Sequence, residues 1–413
     1  MQTPQITPHL FRTEYSKIVA VLYKSFRFAQ LEIAEDLAAD TFLKASESWS
    51  VHGLPENPKA WLYTVAKNKA RDYLRHRAVV EAGTHGQQRQ EDKEDPSFEF
   101  TEQIITDSLL ATLFSVCDPL NSPPSQICLA LQILCGFSLE EIASALLIPI
   151  ETVKKRLQRA RANLRESDFQ ISSLTATQIE NRLPAVLKTI YLLFNEGYYS
   201  ATHDQVIRKD LCSEALRLAL MLTQNSRTKT PATHALLALL YFQSSRLEAR
   251  LDENGQAIRL SDQDPRQWDV ALIQQGNEQL IQACTGSKLS TYHLEAAIAY
   301  WHTTPAGQNK WPHILKLYDQ LLELDPSPIV ALNRVFAYTQ VHGHVKGLEE
   351  AVKLPLENNP YYHGLLGYLL SELDNQKAIA HYQRARELSK SPLEITTLTR
   401  EIEQLLEKAS SLP

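Results

Sequence analysis

The segment from Ser138 to Arg165 constrains this chain more than any other, because it holds two helical patterns separated by an obligatory break. Ser138 followed by Glu141 is a capping box, in which hydroxyl and carboxylate satisfy amides that a helix start leaves unpaired. Leu139, Ile142, Ala143 and Leu146 then fall on one apolar face. Proline cannot continue a helix, so Ile148-Pro149 ends this pattern, and Thr152, Val153 and Leu157 restart helical spacing a few residues on. The second helix is basic: Lys154, Lys155, Arg156, Arg159, Arg161 and Arg165 face only Glu151 and Glu166 nearby. Capping box, turn and basic second helix at this spacing predict a DNA-binding helix-turn-helix, its second helix laid in a major groove between two rows of phosphates. The alternative is a solvated basic helix on a bundle.

The rest of the chain bounds what surrounds this motif. Its 413 residues allow two or three domains, and 44% hydrophobic content fits a globular protein. A net charge of -6 argues against a protein coated in nucleic acid, but the basic segments are discrete, and local patches decide such contact. Cys117, Cys128, Cys135, Cys212 and Cys284 form no Cys-x-x-Cys pair and no zinc spacing with histidine, so no metal site is expected. An odd, scattered set suits a reducing cytoplasm. The N-terminus lacks a basic region followed by an apolar core, so no signal peptide is expected. No apolar run approaches the roughly 20 residues of a membrane helix. The expectation is a soluble cytoplasmic protein without a membrane partner. Phosphate-loop, His-Glu-x-x-His and Gly-x-Ser-x-Gly patterns are absent, so neither catalytic residues nor a cofactor are expected. His302 and His313 flank Trp301 and Trp311 across the segment from Pro305 to Lys310, and read as structural histidines.

Helical spacing runs from His9 to Arg77, as in Phe11, Tyr15, Ile18, Val19 and Leu22, and again in Leu37, Ala38, Thr41 and Phe42. This predicts a first helical domain over residues 8–78. Residues 79–103, with two glycines, several glutamines and the acidic run Glu91, Asp92, Glu94 and Asp95, read as a flexible linker. A second helical domain covers 104–167, and a long helical extension covers 175–410. The predicted fold class is therefore all-α. In the extension Pro326, Pro360 and Pro392 follow helical segments at spacings of 34 and 32, about the length of a tetratricopeptide helix pair. Tyr362, Leu366, Gly367, Tyr368, Ala378, Tyr382 and Ala385 fit that repeat, with small residues where two helices approach closely. The pattern is clearest over 311–392 and implies a stacked scaffold with a groove for a partner protein. From Arg246 to Asp269 the chain is densely charged, and Asp252, Asn254 and Gly255 suggest a turn or short hairpin.

The segments Ile33 to Trp49 and Asn57 to Arg77, taken with the helix-turn-helix, resemble regions two and four of bacterial extracytoplasmic-function sigma factors, short members of the sigma-70 family. Asn195-Glu196-Gly197-Tyr198, Asp210 to Ala215, Asp262-Gln263-Asp264 with Trp268-Asp269, and Ser327 to Arg334 are similar to the group with a tetratricopeptide-like C-terminal extension. One departure is visible: that group often has a double cysteine before region four, and Val116-Cys117-Asp118-Pro119 keeps one, which reads as core.

The resemblance implies core RNA polymerase and promoter DNA as partners. Region two would hold polymerase and read the melted -10 element, and region four would read the -35 duplex. Asp36, Asp40 and Phe42 match the polymerase-binding helix, the two aspartates sharing a face that could equally be a solvated one. Trp49, His52, Lys67, Asn68, Arg71 and Arg75 match the -10 surface. The loop from Ser50 to Pro58 suits capture of a flipped base. Lys59, Lys67, Lys69, Arg71, Arg75 and Arg77 beside Trp61, Tyr63 and Tyr73 supply cations for phosphates and rings for unstacked bases, although Trp61 and Leu62 lie on the core stripe. Asn68 is either a reader of a base edge or an ordinary surface amide. In the second helix of the motif Lys154, Lys155, Gln158 and Arg159 match positions facing bases, while Thr152 and Arg156 match phosphate contacts. The extension would regulate initiation in cis or receive a partner. The other reading is a helix-turn-helix regulator that binds duplex DNA without polymerase, with residues 8–78 a structural domain.

Overall fold

The computed structural model describes residues 8–26, 31–85, 100–118, 120–146, 148–166, 175–198, 209–252, 258, 260–304, 309–389 and 392–410. Its chain forms two compact units, Met1–Glu196 with Ser213–Thr228, and Gly197–Cys212 with Lys229–Pro413. Among the described residues the structure is helical apart from short 3-10 turns and a single bridge at Leu251, where the Ile258 amide donates to the Arg250 carbonyl at 2.8 Å. Asn254 and Gly255, expected in a hairpin turn, lie outside the described residues.

In the first unit α1 (Pro8–Phe26), α2 (Leu31–His52) and α3 (Pro58–His85) pack together. Phe42 explains much of that packing: its ring meets Phe11 edge-on at 4.8 Å and lies 6.3 Å from Tyr15. α3 runs through His85, so residues 79–85 of the expected linker are helical, and 86–99 fall outside the described residues. α4 (Glu102–Val116) starts where the Thr101 hydroxyl accepts from the Ile104 amide, and it packs on α1. α5 (Pro123–Cys135) begins on proline, whose missing amide costs nothing at a first helical position. It ends at Gly136, whose φ of 63° is the left-handed conformation that glycine adopts without strain. α6 (Leu139–Leu146) and α7 (Ile150–Glu166) follow.

The unit continues beyond the expected end of its second domain. On α8 (Ala176–Tyr198) the buried Arg182 donates to the Phe114 carbonyl at 2.9 Å and pairs with Asp118 at 2.6 Å, pinning the helix to the end of α4. Residues of α9 (Lys209–Gln224) join it too, with Arg217 bound to Glu214 at 2.5 Å. Cys117, read as core, is fully buried, and burial pushes its thiol up to about 12.

The second unit is a row of helices, most packing on the next: α10 (Pro231–Ser244), α11 (Val270–Ala283), α12 (Thr291–Thr303), α13 (Trp311–Leu324), α14 (Pro328–His342), α15 (His344–Ala351), α16 (Pro360–Leu370), α17 (Asn375–Leu388) and α18 (Pro392–Ser410). Side-chain caps from Asp269, Ser327, Asn359 and Asp374 open α11, α14, α16 and α17. The core is a succession of small clusters, one around Ile314 and Leu321, the next around Tyr362 and Leu369, the next around Tyr382 and Ile402. Such near-neighbour packing is what stacked helical repeats produce. A Cβ on Gly367 would stand 2.6 Å from the Tyr382 ring, which is why α16 and α17 need glycine there.

Candidate nucleic-acid interface

The capping box forms as its spacing requires: the Ser138 amide donates to Glu141 Oε2 at 2.9 Å and the Glu141 amide to Ser138 Oγ at 3.2 Å. α6 buries Ile142, with Leu139, Ala143 and Leu146 half-buried. The turn closes through the Val153 amide to the Pro149 carbonyl at 3.3 Å. Val153, Leu157 and Ala160 then fix the inner face of α7. Helical geometry turns Lys154, Lys155, Gln158 and Arg159 outward, and all four are exposed. Lys154 pairs with Glu151 at 2.7 Å, which raises its pKa and keeps it charged. Thr152 is half-buried. Arg156 is half-buried as well, and it works against the burial that raises the pKa of the Cys128 thiol.

In the first three helices the expected contacts divide. Asp36 is exposed on α2, and Asp40 is exposed but paired with Lys69 of α3 at 3.5 Å. Phe42, expected against polymerase, is 4% exposed and belongs to the contact of α1 with α2, so it presents no surface. Trp49, expected against DNA, is 1% exposed and meets Trp61 edge-on at 5.4 Å; it too is core. Both corrections have one cause: aromatic rings at helical spacing serve the packed face before they serve a ligand. His52 stands exposed on the last turn of α2, which extends through the first residues of the expected base-capturing loop. The chain leaves that helix at Gly53, with φ of 78°, and Asn57 Oδ1 caps α3 through the Ala60 amide at 3.1 Å. Along α3, Asn68 and Arg75 are exposed, and Lys67 and Arg71 half-buried. Tyr63 is committed elsewhere: its hydroxyl donates to Glu14 and its ring stacks on Phe100 at 4.4 Å.

Two arrangements had no local signal. Glu14 has no exposed side-chain surface, yet Tyr63, Lys17 at 3.0 Å and Lys59 at 3.6 Å surround it. Burial raises its pKa, but these partners outweigh burial and hold it below the usual carboxylate range. Arg161 turns away from the outer face of α7 and forks onto Glu35 of α2, at 2.7 and 3.0 Å, while also donating to Gln132 at 2.9 Å. The partners lie 126 residues apart in sequence, so only helical phase hinted that Arg161 differs from its basic neighbours. Among the described residues no group of three His, Cys, Asp or Glu side chains is placed to hold a metal ion. No described helix is long and apolar enough to cross a membrane.

A capped helix, a tight turn and an outward basic helix, joined to a bundle with a basic third helix, define a helical DNA-binding protein. Comparison places it more closely. Sigma-70 region 2 matches residues 10–79 and sigma-70 region 4 matches 122–164. A family of unknown function (DUF6596) matches 182–284. An uncharacterized protein of Rhizobium meliloti is 32% identical over 387 residues, covering 92% of this chain and 91% of its own. The ECF RNA polymerase sigma factor SigE of Mycolicibacterium smegmatis is 34% identical over 148 residues, 35% of this chain and 54% of that protein. No solved structure matches. The chain belongs to the extracytoplasmic-function sigma factors of the sigma-70 family and carries a helical C-terminal extension.

Proposed function

We propose that this sigma factor brings core RNA polymerase to its promoters through three surfaces, with polymerase meeting the α2 face around Asp36 and Asp40. His52, Lys67, Asn68, Arg71 and Arg75 engage the melted -10 strand, where cations take phosphates and Asn68 reads a base edge. Lys154, Lys155, Gln158 and Arg159 read the -35 duplex, while Thr152 and Arg156 meet its backbone. The observation that carries this reading is α7 itself, with three apolar residues buried on one side and four polar or basic ones exposed on the other. The sigma regions at 10–79 and 122–164 weigh against a regulator acting without polymerase.

Reading both elements together requires α2 and α7 to separate. Two sites about 25 base pairs apart lie roughly 85 Å apart along B-form DNA at about 3.4 Å per base pair. The 2.7 Å pair of Arg161 with Glu35 therefore belongs to the factor before it engages a promoter. The extension regulates this step or holds a partner on its stacked helices, and the factor works in the cytoplasm, with core polymerase.

Transcription in vitro with core polymerase and a promoter library tests the reading. The full chain yields specific transcripts, and Lys154→Ala with Lys155→Ala and Arg159→Ala abolishes them or relaxes the -35 preference, each lost base contact costing about 1–3 kcal/mol. Absence of any transcript, from the full chain and from a chain ended after Thr228, would sink it. That end point keeps Arg182 on Asp118, which a cut before α8 would leave as an unpaired buried carboxylate.

A further inference from the structure

Three basic side chains of the second unit, Arg246, His302 and Lys310, lie within electrostatic reach of one another, and among the described residues no carboxylate is paired with any of them. Arg246, just past α10, is 7% exposed, yet among the described residues its guanidinium finds one acceptor, the Phe242 carbonyl 3.4 Å from Nε. The Phe242 ring stands 6.2 Å from Tyr300 of α12, two residues before His302. His302 meets Trp311 edge-on at 5.8 Å, and Lys310 Nζ lies 5.9 Å from the same ring. Burial, then Arg246 and then Lys310 press the His302 pKa down to about 3, so the ring is neutral at pH 7. Burial and Arg246 lower the pKa of Lys310 as well. None of the three forms an ion pair among the described residues.

A guanidinium carries five donors, and a buried charge without a counter-charge destabilises a fold. The neighbouring basic residues show the ordinary alternative. Arg250 donates to the Tyr198 carbonyl at 2.6 Å and covers its ring at 3.7 Å, and Arg266 forks onto Asp264. Other polar atoms nearby in the chain are also buried without hydrogen-bond partners among the described residues: Gln243 Oε1 and Ser244 Oγ before Arg246, and Trp268 Nε1. The Asp269 amide donates to the Ser245 carbonyl at 2.8 Å, which brings the Trp268 segment beside that of Arg246.

We propose that Arg246, Lys310 and His302 form a binding site for a small phosphate-bearing anion. Two positive charges match the charge of about -1.5 to -2 on a phosphate monoester, whereas one carboxylate would leave a charge uncompensated. The guanidinium can take two phosphate oxygens in parallel, and the neutral imidazole supplies one further N–H. Trp311, beside both Lys310 and His302, offers a flat apolar wall to the organic part of the ligand. This assignment does not depend on how the factor reads promoters.

Inorganic phosphate is the probe, with the full chain melted and titrated calorimetrically against sodium chloride of equal ionic strength. Phosphate raises Tm and binds; Arg246→Met melts no lower than the native chain in chloride, and its phosphate affinity falls at least tenfold. Lys310→Gln, at a half-exposed position before α13, loses affinity at least fivefold and keeps the test decisive should Arg246→Met fail to fold. In phosphate the His302 ring resonances titrate at higher pH than in chloride, because a bound anion favours the imidazolium. Equal melting in the two salts overturns the proposal. So does a phosphate shift that survives the Lys310 substitution, or an Arg246→Met chain that melts lower in chloride while binding phosphate unchanged.

Discussion

Glu14 shows how one carboxylate ties the pH response of the sigma unit to its helix packing. Its side chain is wholly buried, and the Tyr63 hydroxyl, Lys17 and Lys59 favour the ionised form. Its folded pKa lies below the unfolded value of about 4.3, so the stability it contributes is present above that value and is lost as pH falls through the folded pKa. Urea midpoints of the native chain should therefore fall between about pH 5 and pH 3, and Glu14→Gln, which cannot ionise, should show a shallower fall. A variant with the same slope as the native chain would show that other carboxylates set the acid limit. No sequence pattern announced this residue. Tyr63 lies 49 positions away, and a glutamate at a helical register that buries its neighbours reads simply as a polar interruption.

At the scale of elements, sequence was informative wherever a local rule fixes the outcome. The Ser138–Glu141 box, the break at Pro149 and the buried stripe of α7 follow from capping, proline geometry and helical phase, and all three are present. Phase also separates residues that composition lumps together. Lys155 and Arg159 face outward, whereas Arg161 faces α2. The same periodicity could not separate aromatic core from aromatic contact, which is why Phe42 and Trp49 were expected at surfaces and stand buried. In the extension, Gly367 and Ala378 were legible as small residues at a close helix approach, and the Tyr382 ring fills the space that a side chain at 367 would need. Gly367→Ala should destabilise the second unit by about 1–3 kcal/mol through overpacking, read as a lower urea midpoint. A neutral effect would mean that the Tyr382 ring moves aside at little cost.

The whole molecule adds contacts between segments that sequence keeps far apart. Arg182 joins α8 to α4 across 64 residues and Arg161 joins α7 to α2 across 126, so both sigma regions and the start of the extension share one compact unit. Neither pairing leaves a periodic signature, because each partner is a charged residue among many on a helix surface. Their energetics differ. Arg182 and Asp118 are both almost fully buried, and removal of either leaves a desolvated charge, at a cost of about 3–5 kcal/mol. Arg161 and Glu35 keep side-chain exposures of 19% and 16%, so water can take over from the partner when the pair parts. On the proposed reading of the -35 duplex by α7, that makes it the contact suited to opening. With limiting core polymerase, Arg161→Glu should raise transcript yield by replacing attraction to Glu35 and Glu32 with repulsion. The exchange Arg161→Glu with Glu35→Arg should bring the yield back toward that of the native chain. A reduced yield that the exchange does not restore would place Arg161 in direct DNA contact instead. Equal yields from all three chains would show that the pair does not control opening.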